Sequence, residues 1–126
     1  MSIDTSGLEA LVGELARTGQ EAARGARQVV SKGALNIKKD WQQNARASSG
    51  QHAPLYPASI GYDLETTPVG TTAVIGPDKG AAQGPLGNLL EFGSVHNPPH
   101  NDGGRALLAE EPRFLAAIEE FGGGLL

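Results

Sequence analysis

The chain has 126 residues, 18 of them glycine and only six aromatic, with a net charge of −4 and no cysteine. That length fits one domain, and the lack of cysteine excludes a disulfide framework or a thiolate metal site. No apolar run approaches the roughly 20 residues of a membrane span, and the opening, MSIDTSGLEALVGEL, is acidic rather than a basic leader, so a soluble chain made in the cytoplasm is expected.

From Leu8 to about Arg46, the apolar positions Leu8, Leu11, Val12, Leu15, Ala22, Ala26, Val29, Val30, Ile37 and Trp41 recur mostly three or four apart. This is helical periodicity, and Ser6 with Glu9 has the spacing of a capping box at its start. The spacing predicts a helical arm over 1–46, too long for a domain this size to cover. Gly13, Gly19, Gly25 and Gly33 each cost about 1 kcal/mol relative to Ala. They mark either a break near Gly19 or Gly33 or the close approach of a neighbouring helix. Seven of the ten basic residues, Arg17, Arg24, Arg27, Lys32, Lys38, Lys39 and Arg46, fall in the stretch 17–46 of this arm, against two acids there, Glu21 and Asp40. They read as spread around the helix, and a solvated face is the plain explanation.

Residues 47–57 are a linker by composition. A hairpin over 58–76 follows. Ile60, Tyr62 and Leu64 alternate with Gly61, Asp63 and Glu65, Thr67-Pro68-Val69-Gly70 suits a type I turn, and the β-branched run from Thr71 to Ile75 returns. Residues 77–103 show almost no periodicity apart from Leu86 to Phe92, which fits a short strand or one helical turn. A loop of that length is usually functional or disordered. Leu107, Leu108, Phe114, Leu115, Ile118 and Phe121 give a helical face over 104–121. Pro112 suits the first turn of a helix, so two short C-terminal helices are expected, with a frayed GGGLL tail. The class is α+β: a long N-terminal helix, a small antiparallel sheet, a long interface loop and two short helices.

Chemistry finds little support. Lys79 precedes Gly80 where a phosphate loop needs Gly-Lys-Ser/Thr opening a helix. Pro98-Pro99 keep His96 and His100 from sharing a helical face toward one metal. No serine sits in a nucleophile elbow, and Asp63 and Glu65 lie on an outward strand face. No catalytic residue, cofactor or metal is assigned, and an enzyme is not expected.

The most informative stretch is GPLGNLLEFGSVHNPPH, from Gly84 to His100. Its leucines and Phe92 want burial, while its glycines and prolines prevent a long regular element from supplying it, as on a contact surface. Ordering it without a neighbour is expected to be costly. The candidate interface residues are Leu89, Leu90, Glu91, Phe92, Gly93, Pro98, Pro99 and His100, with Trp41 as a further anchor if it is not core. Glu91 is either an intersubunit ion-pair partner or an acceptor for loop amides around Gly93, and local satisfaction of buried polar groups favours the second.

The tetrad Glu91-Phe92-Gly93-Ser94, followed by Pro98-Pro99-His100 and a terminal helix, resembles the Glu-aromatic-Gly-Thr/Ser signature and His/Pro segment of small tail-completion, or head-to-tail neck, proteins of long-tailed double-stranded DNA phages. This is the family of the tenth-gene product of a lambdoid coliphage. Ala53-Pro54 and Ser59-Ile60 stand where that family carries Ala-Pro and a Ser-Ile opening the first strand, while its Thr-Gly-x-Leu is replaced here by Leu55-Tyr56-Pro57. The resemblance implies a structural virion protein at the head-to-tail junction, made in the host cytoplasm. It implies a closed ring, six copies by tail symmetry, with neighbouring neck and tail proteins as partners: a stopper or adaptor, a tail terminator or the tail tube. DNA would pass nearby in the channel without being read, and no membrane is involved. The rival reading is a small nucleic-acid-binding protein using the basic helix over 17–46.

Overall fold

A computed structural model describes residues 6–67, 70–94 and 98–125. Its elements are α1 (Ser6–Ser49), α2 (Tyr56–Ser59), β1 (Ile60–Thr67), β2 (Gly70–Pro77), a 3-10 turn (Gly84–Leu86), α3 (Gly87–Phe92) and α4 (Asp102–Leu125). This is an α+β chain. The side chains of Ser6 and Glu9, the Pro68-Val69 turn and His96 lie outside the described residues.

The 44 residues of α1 run without a break, about 66 Å at 1.5 Å per residue. The close approach of α4 accounts for Gly25 and Gly33, while Gly19 faces open space. A Cβ on Gly33 would stand 3.0 Å from the Phe114 ring, and one on Gly25 would overlap the Phe121 ring. The two helices run antiparallel, and polar pairs continue the seam beyond the rings. Asn36 Nδ2 donates to Glu110 Oε1 at 3.1 Å, and Arg113 pairs with Asp40 at 2.9 Å. None of the described helices is long and apolar enough to cross a membrane.

β1 and β2 pair antiparallel, from Ile60 opposite Pro77 to Thr67 opposite Gly70, and both strands pack on α1. Gln42 Nε2 ties the start of β1 to the helix by donating to the Ile60 carbonyl at 3.1 Å. Asp63 and Glu65 are exposed on the strand's outer side, as their alternation implies.

The core is thin. Among the described residues the buried apolar side chains are Ala34, Ala45, Ala53, Tyr56, Ile60 and Ala106, so four of them are alanines. Trp41, Ile75 and Leu90 pack against the cluster from partly exposed positions. Two of its members, Ala53 and Tyr56, belong to the stretch expected to be linker. Helical structure there runs on to Ser49, and the polar letters around Ala53 and Tyr56 masked two side chains that α1 and the hairpin enclose.

Three expectations need correction. Residues 77–103 are not one long loop, because the 3-10 turn and α3 occupy its middle, and of the two alternatives for Leu86 to Phe92 the helical one holds. The two short C-terminal helices are one, since α4 passes through Pro112. Proline removes the donor to the carbonyl four residues back and strains the turn, but that carbonyl belongs to Leu108, which is 66% exposed, so water is at hand to solvate it. The helix also continues past Phe121 to Leu125 instead of fraying after it. The Phe121 ring seated at Gly25 pins that last stretch.

Pro112→Ala tests the continuity of α4. In a helix interior, proline costs about 3 kcal/mol relative to alanine, whereas in a first turn it is neutral or favourable. The variant is expected to gain about 1–3 kcal/mol in urea unfolding; an unchanged or lower midpoint would restore two helices.

Candidate functional site

α3 is only six residues long and has no side-chain cap of its own at its N-terminus. It ends at Gly93, whose φ of 79° suits glycine and whose amide donates to the Leu89 carbonyl at 2.9 Å. The chain then returns, and the amides of His100 and Asn101 donate to the carbonyls of Leu90 and Glu91 at 2.9 and 3.1 Å. Asn101 opens α4, accepting the amide of Arg105 at 3.0 Å.

The first free amides of α4 are those of Gly103 and Gly104, and both donate to the carboxylate of Glu91, one to each oxygen, at 3.0 Å. A capping side chain normally supplies this acceptor from the residue just before the helix. Here Glu91 supplies it from another helix. Its negative charge also lies on the positive end of the α4 dipole. The expectation that Glu91 accepts backbone amides is right in kind, but the donors are those of α4 and not those around Gly93.

The same corner is fixed from the α1 side. Asp102 is buried; its carboxylate accepts the Ser48 hydroxyl at 2.7 Å and the Arg105 guanidinium, and its carbonyl accepts Asn44 Nδ2 at 3.0 Å. Gly103 has no room for a side chain, since a Cβ would stand 2.7 Å from the Trp41 indole and 2.8 Å from Glu91 Oε2. Tyr56, 1% exposed, lies beside this cluster. Burial pushes its phenol above the ordinary 10.0, the Trp41 indole opposes the rise, and the Glu91 and Asp102 carboxylates add to it. The indole N–H itself has no hydrogen-bond partner of good geometry.

The proposed interface residues therefore divide. Trp41, Leu90, Glu91 and His100 face inward, Trp41 and Leu90 onto the core cluster. Leu89 and Phe92 point outward at 45% and 74% exposure, Pro98 and Pro99 are exposed, and Gly93 is partly so. Leu86, Leu89 and Phe92, three apart on one face, make an exposed apolar ridge. Leu55 is also exposed, its amide donating to Gln83 Oε1 just ahead of the 3-10 turn.

A second apolar surface was hidden in the sequence. The apolar residues of α4 read as one face, and at 100° per residue they span an arc of about 140°, of which α1 covers only one edge. Phe114 and Phe121 turn inward to α1, while Leu107, Leu108, Leu115 and Ile118 are exposed. Beside that outer face a groove of about 490 Å³ runs between α1, β2 and α4, lined by Val30, Ala34, Ile37, Ala73, Ile75 and Phe114. The exposed residues were legible as apolar, but only the α1–α4 seam says which of them remain uncovered.

Both carboxylates of the corner are filled by donors from the chain itself, which suits scaffolding more than proton transfer. Among the described residues no three His, Cys, Asp or Glu side chains converge to hold a metal. No family model, curated protein or solved structure matches the chain.

Glu91→Gln leaves one α4 amide facing the side-chain NH2, itself a donor, and removes the charge from the helix end. It is expected to cost about 1–2 kcal/mol. Gly103→Ala drives a methyl into Trp41 and Glu91, at about 1–3 kcal/mol. Phe92→Ala, on the exposed side, should change monomer stability by no more than about 0.5 kcal/mol. Thermal unfolding of the three variants checks this order.

The raised phenol of Tyr56 also gives stability a pH dependence. It stays protonated in the folded chain above 10.0, where the unfolded phenol ionises, so its contribution is full below that pH and is lost as pH climbs through the folded-state value. Urea unfolding between about pH 9 and 11 should show a smaller alkaline loss in Tyr56→Phe than in the parent chain.

Proposed function

We propose that the chain is a structural subunit of the head-to-tail junction of a long-tailed phage, assembling head to tail into a closed sixfold ring that completes the tail and joins it to the DNA-filled head. The observation that carries this is the pair of uncovered apolar surfaces on one small chain: the Leu86-Leu89-Phe92 ridge, and the outer face of α4 with its adjoining groove. A cyclic ring uses one patch against a different one, and large exposed apolar patches mark interaction sites. The Glu91–Ser94 and Pro98–His100 signature, with Ala53-Pro54 and Ser59-Ile60, supplies the resemblance to neck proteins.

In such a ring the ridge of one copy seats on the α4 face and groove of the next. Glu91 works indirectly: it holds α3 against α4 so that Phe92 is presented. Neck and tail proteins cover the ends of the ring, and its action is placement and sealing without turnover.

Native mass spectrometry of the chain, alone and with neighbouring neck proteins, should show a closed ring. Phe92→Glu and Leu108→Glu should each abolish it, and mixing the two should give a heterodimer that grows no further, because each variant keeps one intact patch. A chain that stays monomeric in both settings would refute the ring. Phe92→Ala is expected to weaken assembly by about 2 kcal/mol or more, as truncated aromatic anchors do, with Tyr62→Ala affecting it far less.

A further inference from the structure

The two arginines of α4, Arg105 and Arg113, are each ion-paired within the chain. Among the described residues the seven cations of α1 have no acidic partner within 4.0 Å. Because α1 has no break, its residues keep one phase, and at 100° per residue the seven fall within an arc of about 140°. They do not spread around the helix, as the letters suggest. Arg17, Arg24, Lys32, Lys39 and Arg46, all exposed, form a row about 44 Å long, flanked by Arg27 and Lys38. One acid, Glu21, shares the arc.

What lies between the cations narrows the partner. Gln20, Gln28 and Ser31 lie among the cations, Gln42 is turned to the Ile60 carbonyl, and Leu35 is the row's one large apolar residue. A protein interface places apolar and aromatic anchors at its centre and is depleted in lysine. A nucleic-acid contact is polar and strongly positive, and its phosphates are met by Arg, Lys, Ser and Gln. The charge is also segregated: residues 17–46 hold seven cations against two acids, while the rest of the chain holds three against twelve.

We propose that this face of α1 binds the phosphate backbone of double-stranded DNA without reading its sequence, the acidic remainder keeping the duplex on the arm. A straight helix meets a curving strand over a short tangent, so three or four phosphates are engaged at once rather than seven. At about 0.9 counterion per phosphate, log K should fall against log salt with a slope near −3.

The test is fluorescence anisotropy of the full-length chain with labelled duplexes of two unrelated sequences, across a salt series. Equal affinity for both duplexes, a slope near −3, and a loss of at least about tenfold in Arg24→Glu/Lys32→Glu/Lys39→Glu with unchanged Tm are expected; three lost contacts at low salt account for that factor. No anisotropy change at low salt, or undiminished binding by the triple variant, would overturn the assignment. Polyglutamate displacing the chain as readily as unlabelled duplex, charge for charge, would assign the face to an acidic protein instead. Single-stranded RNA competing better than duplex would also overturn it. Since the row lies apart from the α3 and α4 surfaces, the ring-defective Phe92→Glu chain should bind DNA through the same residues, so this inference and the ring stand or fall separately.

Discussion

One carboxylate holds the corner on which the rest of the fold's surface depends. Glu91 takes the amides of Gly103 and Gly104, and in doing so joins the end of a six-residue helix to the start of a 24-residue one. Neither partner is strong alone. A helix as short as α3 is unstable in isolation, and α4 begins with two glycines, poor helix formers. Hydrogen bonds to a charged group contribute about 1.5–3 kcal/mol each, enough to offset much of both weaknesses. Asp102, held by Ser48 and Asn44, fastens the same corner to α1.

The consequence is a surface as much as a core. With a buried cluster made largely of alanine, the chain cannot enclose its larger side chains. It spends its inward positions on Trp41, Tyr56, Leu90, Phe114 and Phe121, while Leu89, Phe92 and the outer face of α4 remain in water. The Glu91-Phe92 pair divides this labour between adjacent residues: one turns in and fixes the helix, the next turns out. A short motif of a carboxylate, an aromatic and a glycine therefore presents an aromatic from a rigid corner.

Sequence alone carried the elements whose pattern is local. The three-four spacing of α1 and the alternation of β1 needed no tertiary information. The α4 start was missed because its supporting acceptor lies ten or more residues upstream; Asn101 ahead of Asp102 was the available signal, a helix-capping letter overshadowed by the glycine pair. Pro112 misled for a similar reason: its cost depends on whether the Leu108 carbonyl meets water, which no spacing reveals. Glu91 was legible as an embedded carboxylate that must be satisfied, but not by which amides. The basic row on α1 was obscured by uncertainty over a break at Gly19 or Gly33, since helical phase carries over only through an unbroken helix. Phe114 and Phe121, packed where Gly33 and Gly25 leave space, settle that phase from the other side of the chain.

Amide hydrogen exchange of the free, monomeric chain measures the Glu91 corner most directly. The sequence suggests a segment too costly to order alone, whereas Glu91 and the α4 amides hold α3 in place within the single subunit. Protection is expected at Gly103 and Gly104 and also at Gly93, whose amide closes α3 onto Leu89, with Glu91→Gln lowering all three together. Rapid exchange at Gly93 while Gly103 and Gly104 stay protected, or protection unchanged by the substitution, would contradict a corner held by Glu91.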